Sequence, residues 1–219
     1  MFLKYDSILL NGGCDCMQEV SIMVFGDSIT YGAVDSEFGG WTNRLRMHLE
    51  NNKGDYFTLF NLGIPGETTE KLLSRFETEC MARYDEDENT IIVFAIGIND
   101  TQNIDGNYRV LLKCFERNIK DLIVKAKKFT NKILFIGLTK IDESKLTPVP
   151  WSLSKSYFDR KIIEFDKLLE NTCIDENIFY LKMYDVLSLN ELVDGLHPNS
   201  IGHEKLCDVI ANKLNDIID

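Results

Sequence analysis

Four short segments hold the residues whose types and spacing could do chemistry. They are Gly26-Asp27-Ser28-Ile29-Thr30, Asn61-Leu62-Gly63-Ile64-Pro65-Gly66, Gly97-Ile98-Asn99-Asp100 and Asp194-Gly195-Leu196-His197-Pro198. Taken singly, each has a plainer reading: Ser28 caps a helix, Gly63 and Gly66 make turns, Asn99 closes an Asx turn, and His197 sits in a loop with no task. Together they contain what nucleophilic acyl chemistry needs, namely a hydroxyl, a base to take its proton and an acid to orient the base. Asp194 and His197 are three apart, so one turn can bring the carboxylate to one ring nitrogen and leave the other free for Ser28. A developing oxyanion needs donors already in place, and the N–H groups of Ser28 and Gly66 with the side-chain amide of Asn99 can supply them. Gly66 also lacks a Cβ that would block the approach of a substrate. Of the three histidines, His48 lies on the polar face of a helix and His203 inside the last helix, so only His197 stands beside an acid in a turn.

These segments need a frame that brings them together. Five apolar runs read as strands: 21–25, 57–61, 90–95, 132–138 and 178–181. The third and fourth are nearly continuous in apolar residues, as suits strands buried on both faces of a parallel sheet. Helix-period stripes lie between them: Trp41, Leu45 and Leu49; Leu72, Phe76 and Cys80; Leu111, Phe115, Ile119, Leu122 and Ala126; Ile162, Phe165 and Leu169; and Ile201, Val209 and Leu214. Thr68-Thr69-Glu70-Lys71 and Asn199-Ser200 read as helix starts. The alternation predicts one α/β domain over 21–219, a doubly wound parallel sheet of five strands in three α/β/α layers, flavodoxin-like in order. Right-handed crossovers place the loops after the strands, and hence the chemical segments, on one edge. The long connection from Thr139 to Leu153, with Pro148, Pro150 and Trp151, follows the fourth strand and is expected to wall the pocket.

Composition excludes other classes. With 24 Lys and Arg against 35 Asp and Glu among 219 residues, the net charge is −11, so no nucleic-acid partner is expected. The cluster Lys125-Ala126-Lys127-Lys128 reads as a solvated helix end. No apolar run approaches the roughly 18 residues that span a bilayer. The N-terminus makes a poor secretion signal, and Asn11-Gly12-Gly13-Cys14 lacks the apolar segment of a lipoprotein site, so a cytoplasmic location is expected. Residues 1–20 read as an extension of unknown role. The six cysteines are scattered, four of them in helix-like segments, and Cys14-Asp15-Cys16 is a lone pair unsuited to zinc. Asp194, His197 and His203 could be metal ligands on paper, but His203 should point along its helix away from the turn, so neither metal nor cofactor is expected. The α/β-hydrolase elbow G-x-S-x-G is also absent, because Thr30 stands where its last glycine belongs.

The four segments, in this order, resemble the blocks of the SGNH hydrolases, also called the GDSL esterase/lipase family. GDSIT at 26–30, NLGIPGETT at 61–69, IGIND at 96–100 and DGLHPN at 194–199 carry the resemblance, which covers roughly residues 21–215. It implies Ser28 as nucleophile, His197 as base and Asp194 as the acid that supports it, with Ser28, Gly66 and Asn99 forming the oxyanion hole. It further implies metal-independent hydrolysis of carboxylic esters, including short-chain esters, O-acetyl groups on sugars, lysophospholipids or thioesters. Where many relatives carry Gly-Gly-Asn-Asp, Ile98 puts a side chain beside the oxyanion hole. Asp27, Ile98 and Trp151 are the candidates for the substrate pocket. An acyltransferase using the same acyl-enzyme, and a carbohydrate-binding module without turnover, are the alternatives.

Overall fold

The strand runs fold as their composition requires. The structure is a computed structural model and describes residues 19–52 and 56–218. Its first half contains β1 (Glu19–Gly26), α1 (Ser28–Tyr31), α2 (Gly40–Asn52), β2 (Tyr56–Gly63), α3 (Thr69–Met81) and β3 (Asn89–Ala95). Two short strands, β4 (Asn103–Ile104) and β5 (Asn107–Tyr108), precede α4 (Leu112–Ala126) and β6 (Ile133–Ile136). The chain ends through β7 (Lys155–Ser156), α5 (Asp159–Asp175), β8 (Phe179–Leu181) and α6 (Ser200–Ile218).

Five strands pair in parallel in the order β2-β1-β3-β6-β8, the flavodoxin-like order expected from the alternation. Side chains alternate across β1, so Met23 and Phe25 join one core with Phe76, Phe115 and Phe165, under α3, α4 and α5. Ile22 and Val24 join the other with Trp41, Leu45, Leu206 and Ile210, under α2 and α6. Phe25, Phe94 and Phe135 stand in register across β1, β3 and β6, with centroids 5.8 and 4.6 Å apart. They stiffen the sheet beneath the strand ends where the chemical segments begin. The order reverses between β1 and β3, and open α/β sheets bind ligands at that point.

Several details depart from the sequence reading. β1 begins at Glu19, so two residues assigned to the extension belong to the sheet; Cys14 and Cys16 lie outside the described residues. α6 buries Leu214 and packs Val209 against the core as the stripe requires, but Ile201 is 58% exposed, and His203, Leu206, Ile210 and Ile217 complete the buried face. A buried histidine hid the full stripe. Thr68 does not cap α3 with its side chain; Asp100, from beyond β3, accepts from Thr69 N–H at 3.1 and 3.2 Å. Asn199 does cap α6, accepting from Gly202 N–H at 2.9 Å. A second sheet in the order β5-β4-β7 has two-residue strands, too short for any periodicity to announce. Among the described residues no helix is long and apolar enough to cross a membrane.

Candidate active site

The three parallel-strand ends and the turn before α6 converge. β1 runs into Asp27, whose carboxylate accepts from Ile29 N–H at 3.0 Å and so starts α1 with Ser28 as its first residue. Ser28 Oγ lies 2.9 Å from His197 Nε2. On the other side of the ring, His197 Nδ1 lies 2.7 Å from Asp194 Oδ2. Asp194 Oδ1 accepts from the backbone N–H groups of Leu196 at 2.9 Å and His197 at 2.8 Å. One carboxylate thus folds the turn with one oxygen and orients the imidazole with the other. Gly195 stands at φ +94°, and an added Cβ there would lie 2.9 Å from Lys145 and 3.0 Å from the Asp142 carbonyl. Asp142 N–H donates to Gly195 O at 2.8 Å, which ties the long connection after β6 to this turn.

The two carboxyls flanking Ser28 and His197 are tuned in opposite directions. Burial pushes Asp194 up, but hydrogen bonds from the His197 ring and from the His197 and Leu196 N–H groups outweigh it and hold Asp194 at about 2. It therefore stays charged and can support an imidazolium. Asp27 is more deeply buried, and desolvation pushes it up to about 7 against the Ile29 N–H bond and the nearby His197. Asp100 is pushed up to about 7 as well, by burial that outweighs its bonds from Thr69.

The groups expected to donate to an oxyanion stand in the same pocket, of about 200 Å³, with Ser28 and His197. Asn99 is buried, and Tyr157 Oη donates to its Oδ1 at 2.9 Å while accepting from Gln102 Nε2 at 2.9 Å. Asn99 Nδ2 has no partner among the described residues. A buried donor without a partner is costly, and this one lines the pocket where an oxyanion would form. The N–H groups of Ser28 and Gly66 are likewise not taken by another group among the described residues. Gly66 is required for a reason other than clearance: a Cβ there would meet nothing within 4 Å, but φ is +75°. Its loop is fixed from both sides. Arg109 Nη2 donates to Gly66 O at 2.7 Å, and Arg75 binds Leu62 O at 2.7 Å and Glu67 Oε1 at 2.8 Å.

Of the three pocket candidates, only Trp151 lines this pocket. The residue is 49% exposed, and its ring centroid lies 6.1 Å from that of His197. Asp27 and Ile98 face the other way, into a separate apolar cavity of about 40 Å³ beside Trp41 and Leu206. The 3-10 turn of residues 98–101 directs Ile98 inward while Asn99 points to the pocket. His203 packs beneath α2, where its Nδ1 accepts from Trp41 N–H at 3.2 Å, and burial lowers it to about 4. Among the described residues no group of His, Cys, Asp and Glu could hold a metal ion. Burial raises the thiols of Cys80 and Cys173 to about 12, so neither offers a thiolate nucleophile. Sequence reasoning missed Gln102, Arg109, Lys155 and Tyr157, all of which line the pocket.

Comparison with known proteins agrees with this architecture. A multidomain esterase of Ruminococcus flavefaciens is 26% identical over 226 residues, covering 85% of this chain and 27% of that protein. The chain thus spans about a quarter of that relative's length. A lipase/acylhydrolase from Enterococcus faecalis superposes with a TM-score of 0.73 at 23% identity, covering 91% of this chain and 96% of that one. An acetylxylan esterase from Geobacillus stearothermophilus gives 0.69 at 19%, covering 89% and 93%. These likenesses show a shared fold. Residues 24–205 match the GDSL-like lipase/acylhydrolase family, a span that begins inside β1, ends inside α6 and takes in all four chemical segments. The chain belongs to that family.

Proposed function

We propose that this protein is a serine esterase that removes short acyl groups, O-acetyl groups among them, through an acyl-enzyme on Ser28. The observation that carries the reading is the contact chain from Ser28 Oγ to His197 Nε2 at 2.9 Å and from His197 Nδ1 to Asp194 at 2.7 Å. His197 takes the Ser28 proton as Oγ attacks the ester carbonyl. The negative charge that forms on the carbonyl oxygen meets Ser28 N–H, Gly66 N–H and Asn99 Nδ2. His197 then gives its proton to the departing alcohol. A water molecule, deprotonated by the same nitrogen, attacks the acyl carbon and frees the acid. Asp194 stays ionised throughout and supports the imidazolium.

The pocket of about 200 Å³ beside Ser28 has room for a small acyl group. The acetylxylan esterase among the structural relatives supports acetyl esters as a substrate class. The test is a panel of p-nitrophenyl esters of rising chain length beside acetylated sugars. Highest kcat/KM at two to four acyl carbons, with free acid as product, is the expected result. A preference for long chains would contradict the short-acyl reading, and transfer to an added alcohol in place of acid release would make the enzyme an acyltransferase.

A further inference from the structure

The pocket wall opposite in origin to the catalytic residues comes from the small sheet. β4 pairs with β5 through Asn103 and Tyr108, and with β7 through Asn103 and Ser156 and through Ile104 and Lys155. The ladder continues one residue further, where Arg109 N–H donates to Gln102 O at 2.8 Å and the Gln102 side chain meets Tyr157. Side chains two apart on a strand share a face. Gln102 and Ile104, Arg109 and Asn107, and Tyr157 and Lys155 therefore point to one side, and Gln102, Arg109, Lys155 and Tyr157 all line the pocket with Ser28 and His197.

That face is positively charged in a chain of net charge −11. No Asp or Glu lines the pocket. Sixteen ion pairs join other described residues, yet neither Arg109 nor Lys155 has a carboxylate within 4.0 Å among them. Asp100 is near enough to feel the Arg109 charge, but its oxygens are occupied by Thr69. Arg109 uses Nη2 to hold Gly66 O and keeps its other N–H groups for a further acceptor. The Lys155 side chain is half-buried and makes no hydrogen bond with a described residue. Two half-buried cations with no carboxylate in reach make the local potential positive, which favours an anionic group over a neutral one beside the reacting centre.

We propose that Arg109 and Lys155 form an anion-binding subsite, so that the ester this enzyme prefers carries a carboxylate or phosphate in its acyl or alcohol part. The inference rests on the esterase reading and narrows its substrate class. The fork of Arg109 suits two oxygens of one anion, and the flexible ammonium of Lys155 adds charge without fixed geometry.

The test compares matched ester pairs, corrected for spontaneous hydrolysis. The acyl arm sets p-nitrophenyl hemiglutarate against p-nitrophenyl valerate. The alcohol arms set 3-acetoxybenzoate against 3-acetoxybenzamide, and 3-acetoxyphenyl phosphate against the same amide. In at least one arm the anionic ester should have a kcat/KM about tenfold higher or more. Lys155→Glu should reverse that preference and Lys155→Arg should retain it, a pattern that a purely structural lysine would not give. Neutral and anionic esters turned over within about threefold of each other in every arm would overturn the subsite, as would a ratio unchanged in Lys155→Glu. Turnover of no ester, with no labelling of Ser28 by a fluorophosphonate, would instead bring down the esterase reading and the subsite with it.

Discussion

Two walls of one pocket are built on different principles. Ser28, Asn99 and the Gly66 loop stand at the ends of parallel strands, and His197 stands in a four-residue turn closed by Asp194. The turn that carries each is set by nearby residues, and contacts from further along the chain then hold it, as Arg109 holds Gly66 O and Tyr157 holds Asn99 Oδ1. Gln102 and Arg109 face each other across a short hairpin, and Lys155 and Tyr157 are brought against it by pairing between segments about fifty residues apart, through strands of two residues. On the proposed mechanism the first wall supplies the reacting groups, and the second holds them and faces what reaches them. Local motifs thus encode the reaction, while long-range pairing encodes its tuning.

Removing residues from the first wall should do most damage. Ser28→Ala should lower kcat by about 10⁴-fold or more while circular dichroism stays native, since a buried hydroxyl at a helix start carries little packing. Retained turnover in that variant would transfer the nucleophile elsewhere. Asn99→Ala should lower kcat by about 10²–10³ with little change in KM, because Nδ2 acts on the charge that develops in the transition state. A rise in KM at constant kcat would make Asn99 a ground-state binding residue.

The second wall should give smaller effects. Tyr157→Phe removes the hydroxyl that holds Asn99 Oδ1, and kcat should fall by about three- to tenfold, the worth of one ordinary hydrogen bond. An unchanged kcat would show that the Asn99 amide is oriented without it. Trp151→Ala should shift relative kcat/KM across ester chain lengths by a few-fold, as one altered pocket contact does. Loss of stability with an unchanged chain-length profile would instead make Trp151 a packing residue.

The contrast also explains what the sequence could reveal. The five-stranded frame was legible because β1, β3 and β6 are apolar on both faces and are separated by amphipathic helices. The reacting residues were legible because Ser28, Gly66, Asn99, Asp194 and His197 stand in compact segments. Tyr157 reads as one more aromatic beside Phe158, and only pairing with Gln102 sets it against Asn99. The direction of Ile98 is not legible in the sequence, because a 3-10 turn, invisible to periodicity, sends it and its neighbour Asn99 to different cavities. Asp100 as the cap of α3 was hidden for a similar reason, since helix caps are sought next to the helix they serve.

A last effect falls on stability. Asp27 has a folded value of about 7 against 3.8 for an unperturbed carboxyl. The folded state therefore holds a proton that the unfolded state has released between these values. Its stabilising contribution is complete below pH 4 and is lost as pH rises through 7, with a slope of up to about 1.4 kcal/mol per pH unit. The Tm should fall from pH 5 to pH 8, and Asp27→Asn should flatten that fall by removing one titrating group. An identical profile in the variant would place the pH dependence elsewhere, in Asp100 first, which shifts in the same direction.

Ser28 is proposed as a nucleophile activated by His197, which lies 2.9 Å away. Mass spectrometry of the intact and digested protein after treatment with a fluorophosphonate tests it most directly. One adduct is expected, on the peptide containing Ser28, formed in step with the loss of ester turnover and strongly slowed in His197→Ala. An adduct on another residue, or inactivation with Ser28 unmodified, would contradict it.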